Sequence, residues 1–423
     1  MTIAIIGGGI GGLTLALALH QHGLACDVYE AVPEIREIGV GITLLPHAMR
    51  ELAGLSLQAE LEAAGIENLE SVYFNRYGQY IYREARGRHA GYALPEIGIH
   101  RGKLHRILYD AAVQRLGAGR LHTGHRCVRV EQGEIDGSPG EHAPVILHFA
   151  DTATGAQLAP VKAEVVVACD GVNSTLRKQF YPDEQVAFAG INTWRGVTRH
   201  KPILTGKSYL RIGSILTGKM VIYPIVDNID GQGNHLINWV AEIQRPGDAM
   251  NDWNRQGQTA DFMATFQDWK FDWLDVPALI SSADNILEYP MVDKDPVARW
   301  TFGAVTFLGD AAHPMYPRGS NGSAQAIIDG RTLAAQLSDA AQRGAGPRDA
   351  LLAYEALRRP VTAKIVLTNR STPPDFIIMK ADELSHGKPF RHIDDLISQD
   401  ELRQISDNYA AIAGFSRESI RPA

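Results

Sequence analysis

The sequence predicts an α/β protein in which a helix-flanked, largely parallel sheet is interrupted by an inserted mixed β-sheet and followed by C-terminal helices. Strand, glycine turn, helix and strand follow one another between Thr2 and Tyr29. From about residue 180 to 287 the chain changes to β-prone runs separated by polar loops. After Tyr289 it returns to a buried strand and two long amphipathic helices. Its 423 residues exceed what one core usually covers, and a composition of 45% hydrophobic and 21% charged residues is globular throughout.

Thr2–Ile6 is a short apolar run suited to a buried parallel strand, and Leu13–Leu19 continues as Ala/Leu-rich helix. Between them lies Gly7-x-Gly9-x-x-Gly12. Gly7 permits the tight turn, Gly9 lets the backbone approach a pyrophosphate, and Gly12 allows close packing of helix on strand. The second strand, Cys26–Tyr29, ends at Glu30, an acid placed to bond ribose hydroxyls. The beginning is therefore a Rossmann-like dinucleotide-binding unit.

Gly102–Leu116 reads as a further helix, and Val128–Val130, Val145–Phe149 and Val165–Ala168 as β-structure of the same domain. Glu131–Pro144 reads as a hairpin tip. The inserted layer holds the runs Asn192–Val197, Met220–Ile225 and Leu236–Ile243 and a Trp-rich, helix-like stretch, Phe262–Trp273. Val305–Leu308 is a strand, and Ser323–Gln342 and Arg348–Leu367 are helices. Pro373-Pro374 break the second of these, and Asp394–Ile412 has helical periodicity, expected either to pack on a partner subunit or, the preferred reading, to clamp the first domain. The expected division is 1–70, 98–180 and 288–370 for a discontinuous nucleotide domain, 71–97 and 181–287 for a substrate domain, and 371–423 for a helical tail.

Two later motifs extend the ligand. Asp170-Gly171 follows a strand, and Asn173-Ser174 opens a short helix with Arg177 one turn on, setting an acid and free amides at a crevice. Gly309-Asp310 ends the Val305–Leu308 run, Pro317 stiffens the next loop, and Gly319, Asn321 and Gly322 open a helix. Its amino-terminal amides suit the anionic charge of a reduced flavin. The three motifs together describe FAD, gripped at its adenosine, ribityl and flavin portions.

Other classes are disfavoured. A net charge of -7 without a basic run leaves no nucleic-acid footprint. No segment offers the ~20 uninterrupted apolar residues of a bilayer span, and the apolar beginning lacks a basic n-region or cleavage site. Cys26, Cys127 and Cys169 are odd in number and widely spaced, as in a cytoplasmic protein with reduced thiols. No triad, carboxylate pair or metal-binding helix is present, and none is needed where a cofactor supplies the reactive atom. The expected assembly is a monomer or homodimer.

With these motifs the chain resembles the class A FAD-dependent aromatic monooxygenases, the p-hydroxybenzoate hydroxylase and salicylate hydroxylase family, and most of all its phenazine-modifying branch. Gly39-Val40-Gly41-Ile42, Ile99-His100-Arg101-Gly102, Thr193-Trp194-Arg195-Gly196-Val197, Ile237-Asn238-Trp239-Val240 and Tyr289-Pro290-Met291-Val292-Asp293 carry the resemblance beyond the motifs. It covers roughly residues 1–370. The resemblance implies tightly bound, non-covalent FAD, NADH or NADPH as transient reductant, and hydroxylation of an electron-rich aromatic or heteroaromatic small molecule by O2 through a flavin C4a-hydroperoxide. It implies Glu30 on the adenosine ribose, Arg101 near the pyrophosphate or ribityl chain, Val128 at the adenine, Asp170 serving FAD and nicotinamide, and Asp310 on the ribityl chain.

Two residues depart from the family pattern. His47 stands where many relatives carry Asn or a small residue, and orients substrate, acts as a base toward a phenol, or is a satisfied structural histidine. Arg318, an unusual charge between Pro317 and Gly319, either recognises an acidic substrate or faces solvent. Candidates at the reacting centre are thus His47, Arg318, Pro317 and Tyr223, with Trp194, Arg195, Asn238 and Trp239 on strands of which only one face can line the pocket. The alternatives are a flavoprotein oxidase or reductase that does not insert oxygen and a noncatalytic FAD-binding regulator.

Overall fold

The structure, a computed structural model, describes all residues except 38, 133, 136, 137, 140–143, 246–254 and 419–423. Among the described residues, five parallel strands run side by side in the order Val305–Phe307, Val165–Ala168, Ile3–Ile6, Cys26–Tyr29 and Leu121–His122. The middle strands are apolar and fully buried, as a sheet covered on both faces requires. Their carboxyl ends carry the sequence motifs: the glycine turn after Ile6, Asp170-Gly171 after Ala168, and Gly309-Asp310 just after Phe307. Three motifs remote in sequence thus share one sheet edge, where ligands of such folds bind.

The helices Ile10–Gln21 and Gly322–Arg343 cross against this sheet. A Cβ on Gly330 would stand 2.9 Å from the Leu15 amide nitrogen, and one on Gly11 would stand 2.8 Å from Leu308 Cδ2. Val128–Val130 and Val145–Phe149 do not join the parallel sheet; they lie in a separate antiparallel arm, His125–Gln132, Val145–Asp151 and Val161–Ala163. Within the expected hairpin tip, Glu134–Ile135 pairs antiparallel with Ser138–Pro139, and the remainder lies largely outside the described residues.

The inserted sheet has eight described strands, with Ser208–Ser214 paired parallel to Glu70–Phe74 and its other pairs antiparallel. Alternation gives it two faces. The rear face carries Trp194, Leu210, Ile212, Met220, Ile222, Ile237 and Trp239 onto Phe262, Phe266, Trp269 and Leu279. The front face carries Arg195, Tyr209, Arg211, Tyr223 and Asn238. Trp194 and Trp239 are therefore core residues and line no pocket.

The helix expected over Phe262–Trp273 is reduced to one turn, Met263–Phe266, followed by a hairpin of Lys270–Phe271 with Leu274–Asp275. Ring packing overrides helical spacing here: Phe262 stacks on Trp194 at 4.9 Å, and Phe266 meets Trp269 edge-on at 4.9 Å. In the tail, helix begins at Gln399 rather than Asp394 because Ser398 and Glu401 form a capping box. A helix absent from the sequence reading, Phe376–Leu384, packs Ile377, Ile378 and Ala381 against Tyr73, Ile81 and Tyr82.

Candidate flavin and substrate site

At the first motif, Gly7 has φ +109°, and a Cβ there would sit 2.3 Å from the Cys169 carbonyl oxygen. A Cβ on Gly12 would sit 2.0 Å from the Gly7 carbonyl oxygen, so close packing requires glycine at both positions. Around Gly9, the residue before the helix, nothing lies within 4 Å of a Cβ position, and the amides there face an open crevice. Glu30 Oε2 accepts from the Gly8 amide at 2.6 Å and Oε1 from the Val32 amide at 2.7 Å, fixing the carboxylate with lone pairs to spare. Arg101, exposed and in no ion pair among the described residues, starts the Arg101–Leu116 helix, and Val128 is exposed on the antiparallel arm.

At the second motif, Gly171 has φ +78° and open space at its Cβ position. Asp170 Oδ2 accepts from the amides of Thr175 at 2.8 Å and Leu176 at 3.4 Å, while Oδ1 is buried without a partner. Burial raises the Asp170 carboxyl above its ordinary value, against these hydrogen bonds and one from Ser174. Arg177, fully buried, donates to the carbonyls of Ala311 at 3.0 Å and Ala312 at 2.6 Å and pairs with Glu184, tying the second motif to the third.

In the third motif, Gly309 has φ +62° and donates its amide to Asp329 at 3.1 Å. Asp310 beside it is exposed, and its carboxylate has no hydrogen bond among the described residues. Beneath them lies a buried polar chain: His313 Nε2 to Asp329 at 2.6 Å, Arg358 to Asp329 at 2.7 Å, and Arg358 to Gln325 at 2.5 Å. Burial alone would raise the Asp329 carboxyl; His313 and Arg358 overcome this and hold it down to about 2. The sequence reading missed Asp329, though an acid within the helix that follows a Gly-Asp motif was a visible signal.

The chain of contacts continues through Gln325 to Asn321 at 3.2 Å and from Asn321 to His47 Nε2 at 3.0 Å. Only 1% of His47 is exposed, so its ring lies behind the loop rather than in the crevice. Burial and the Asn321 contact give His47 the features of the structural histidine rather than of a base or substrate anchor. Burial lowers His47 to about 3, against the Asn321 hydrogen bond and with Arg50 and Arg358 adding to the fall.

Because unfolded His47 titrates near 6.5, the stability from its neutral burial is complete above that pH and is lost as pH falls toward 3. The loss reaches about 1.4 kcal/mol per pH unit. His47→Asn is expected to show a smaller drop in urea midpoint between pH 7.5 and 5 than the parent protein. An equal drop would show that another group carries the slope.

Gly322 begins the Gly322–Arg343 helix, Gly319 has φ +81°, and Pro317 is exposed at the loop's outer side. Arg318 is half-buried with Nε unpartnered, and its charge helps hold down Asp375, which Lys219 meets at 2.5 Å and Arg211 at 3.5 Å. Arg318 therefore acts on Asp375 only through space, with no ion pair to it among the described residues.

On the sheet's front face, Tyr223 stacks on Tyr209 at 4.8 Å, and the Tyr209 hydroxyl meets Ser320 Oγ at 3.1 Å, joining sheet to loop. Burial pushes the Tyr223 hydroxyl well up, which keeps it protonated. Asn238 Oδ1 accepts from the Gly41 amide at 2.7 Å. Arg195 lies over the Tyr289 ring at 5.3 Å with its Nε buried and unpartnered, and no described carboxylate pairs with it. Tyr209 was not singled out in the sequence; its signal is its place in strand alternation. A separate cavity of about 400 Å³ under Ile97 and His235 is lined by none of these residues.

The residues fit FAD. Glycines stand where a side chain would block the crevice, Glu30 and Asp310 offer oxygens at two stations along it, and the unpartnered Asp170 Oδ1 awaits a donor.

Known proteins agree with this geometry. The FAD binding domain family matches residues 1–207 and 283–369. The phenazine 1,6-dicarboxylic acid hydroxylase PhzS of Lysobacter antibioticus is 39% identical over 87% of this chain and 89% of its own length. The 3-amino-4-hydroxybenzoate 2-monooxygenase of Streptomyces cremeus is 30% identical over 88% and 87%. The crystal structure of Klebsiella pneumoniae HpxO complexed with FAD and uric acid shares the fold, with a TM-score of 0.71 at 23% identity over 99% of this chain and 94% of that one. The chain therefore belongs to the FAD binding domain family and is an FAD-dependent monooxygenase of the class A aromatic hydroxylase kind.

Proposed function

We propose that the enzyme hydroxylates a planar aromatic or heteroaromatic acid, using NADH or NADPH and O2, and that Arg195 holds the substrate's acidic group. Arg195 carries the reading. The guanidinium is half-buried with its Nε unpartnered and in no ion pair among the described residues; desolvation, which the more distant Glu242 offsets only in part, is the dominant cost and lowers its pKa. A carboxylate in the planar fork would relieve that cost. The names of the relatives, a phenazine dicarboxylic acid hydroxylase and an aminohydroxybenzoate monooxygenase, support an acidic substrate by analogy. The stacked pair Tyr209–Tyr223 offers a flat wall for a ring.

Bound FAD would supply the redox chemistry that activates oxygen. This chain's residues bind and orient. Glu30, Asp170 and Asp310 would hold the cofactor's polar groups, and the amino end of the Gly322–Arg343 helix would favour negative charge at the flavin end. Asn238 fixes Gly41, and the Tyr209–Ser320 contact seats the substrate sheet on the loop. The three cysteines are free, which supports a cytoplasmic setting, with the enzyme acting as monomer or homodimer.

The test is a screen of the purified holoprotein with NADH and NADPH against aromatic acids, quinolines and phenazines, following oxygen uptake and peroxide release. An acid that accelerates nicotinamide oxidation and gains one oxygen atom supports the proposal; acceleration only by uncharged rings sinks the Arg195 assignment. Arg195→Gln is expected to raise KM for that acid about 10- to 100-fold, the order of a charge-assisted pair, with flavin content unchanged. Arg318→Ala should move KM far less.

A further inference from the structure

The loop from Tyr316 to Asn321 is braced by the C-terminal tail. Tyr409, on the Gln399–Ile412 helix, is buried; its hydroxyl donates to Asn369 Oδ1 at 2.9 Å and lies 3.3 Å from the Arg318 carbonyl oxygen. Asn369 in turn donates to the Tyr316 carbonyl at 3.2 Å. A Cβ on Gly319 would stand 2.0 Å from that hydroxyl, so the tyrosine seats only over glycine. One turn on, the Ala413 carbonyl accepts from Gln325 at 3.3 Å and Asn321 at 3.5 Å. Phe415 closes the assembly against the His47 ring at 5.5 Å, and Tyr92 donates to the Phe415 carbonyl at 2.6 Å.

We propose that Tyr409 is a positioning residue for the flavin, acting through Arg318 and Gly319, so that the tail belongs to the cofactor site although the family match ends at residue 369. The inference rests on the reading that residues 316–322 face the flavin end. Gly319 adopts its φ of 81° freely, but Ser320 holds φ 54°, a conformation that a non-glycine residue in a free loop would leave readily. The buried hydroxyl, with Asn369 behind it, holds the loop's amides in one orientation before cofactor arrives, and such preorganisation appears as affinity.

Tyr409→Phe keeps the ring and removes the hydroxyl. FAD binding to the deflavinated protein, followed by flavin fluorescence, is expected to weaken about tenfold, roughly one hydrogen bond. The midpoint potential of the bound flavin is expected to shift, with little change in melting temperature. Asn321→Ala, measured alongside, reports on the loop itself. If Asn321→Ala moves affinity and potential while Tyr409→Phe moves neither, the loop reading stands and the positioning role is overturned. If neither variant moves them, both fail. A lowered melting temperature with unchanged flavin affinity and potential in Tyr409→Phe would reduce Tyr409 to a structural tail contact and overturn the proposal.

Discussion

Arg177→Ala is expected to yield a protein that purifies without flavin and unfolds about 3–5 kcal/mol more easily, the range for removing one partner of a buried charge pair. The side chain is fully buried and serves several groups at once. It pairs with Glu184, donates to the Ala311 and Ala312 carbonyls, and reaches the Asp295 carbonyl at 3.3 Å. Lys294 still meets Glu184 at 2.9 Å in the variant, but nothing replaces the donors to the two alanine carbonyls. Those carbonyls lie between Asp310 and His313, so the third motif loses the buttress that holds it beside the second. Lysine, with one cationic nitrogen, cannot span both sides, and Arg177→Lys should recover only part of the loss. Denaturant unfolding and the 450 nm absorbance per protein after gel filtration measure the two effects. Parent-like values in Arg177→Ala would remove it from the framework.

Asp310→Ala is expected to lose the flavin equally well while leaving the fold intact. Its carboxylate is exposed and makes no hydrogen bond to the described protein, so nothing internal depends on it. A charge-assisted hydrogen bond to a ligand hydroxyl is worth about 1.5–3 kcal/mol, which corresponds to roughly 10- to 150-fold weaker FAD binding. The deflavinated variant should melt as the deflavinated parent does. Unchanged flavin content after purification would remove Asp310 from the ribityl chain. The contrast with Arg177 separates a residue that binds from one that holds the binder.

The nucleotide half was legible because its signals are local. A strand, a glycine turn and a helix lie within about twenty residues, and their physical demands act on neighbours in sequence. The paired roles of His47 and Asn321 were not legible, since they are set by a contact across 274 positions. Arg318 looked free for the same reason: Asp375, the carboxylate on which its charge acts, stands just before a helix that the sequence reading passed over. The Trp-rich stretch misled because aromatic spacing fits both a helix face and a set of rings filed against a sheet. Only the sheet's own tryptophans decide between them. The split of the front and rear faces was implicit in strand alternation, but which face meets the flavin depends on the sheet's placement, which no single strand records.

The parallel pairing of Glu70–Phe74 with Ser208–Ser214 has a consequence for how such enzymes diversify. The substrate sheet is assembled from two stretches separated by more than a hundred residues, with the Arg101–Leu116 helix and the second motif threaded between them. A new specificity therefore cannot be transplanted as one contiguous cassette. A chimera that exchanges only 181–287 would meet a foreign pair of edge strands, Glu70–Phe74 and Tyr80–Ala85, and would cut the Ile286–Asp293 strand after its second residue. Substitution at front-face positions, one side chain at a time, is the accessible route by which this scaffold changes what it hydroxylates.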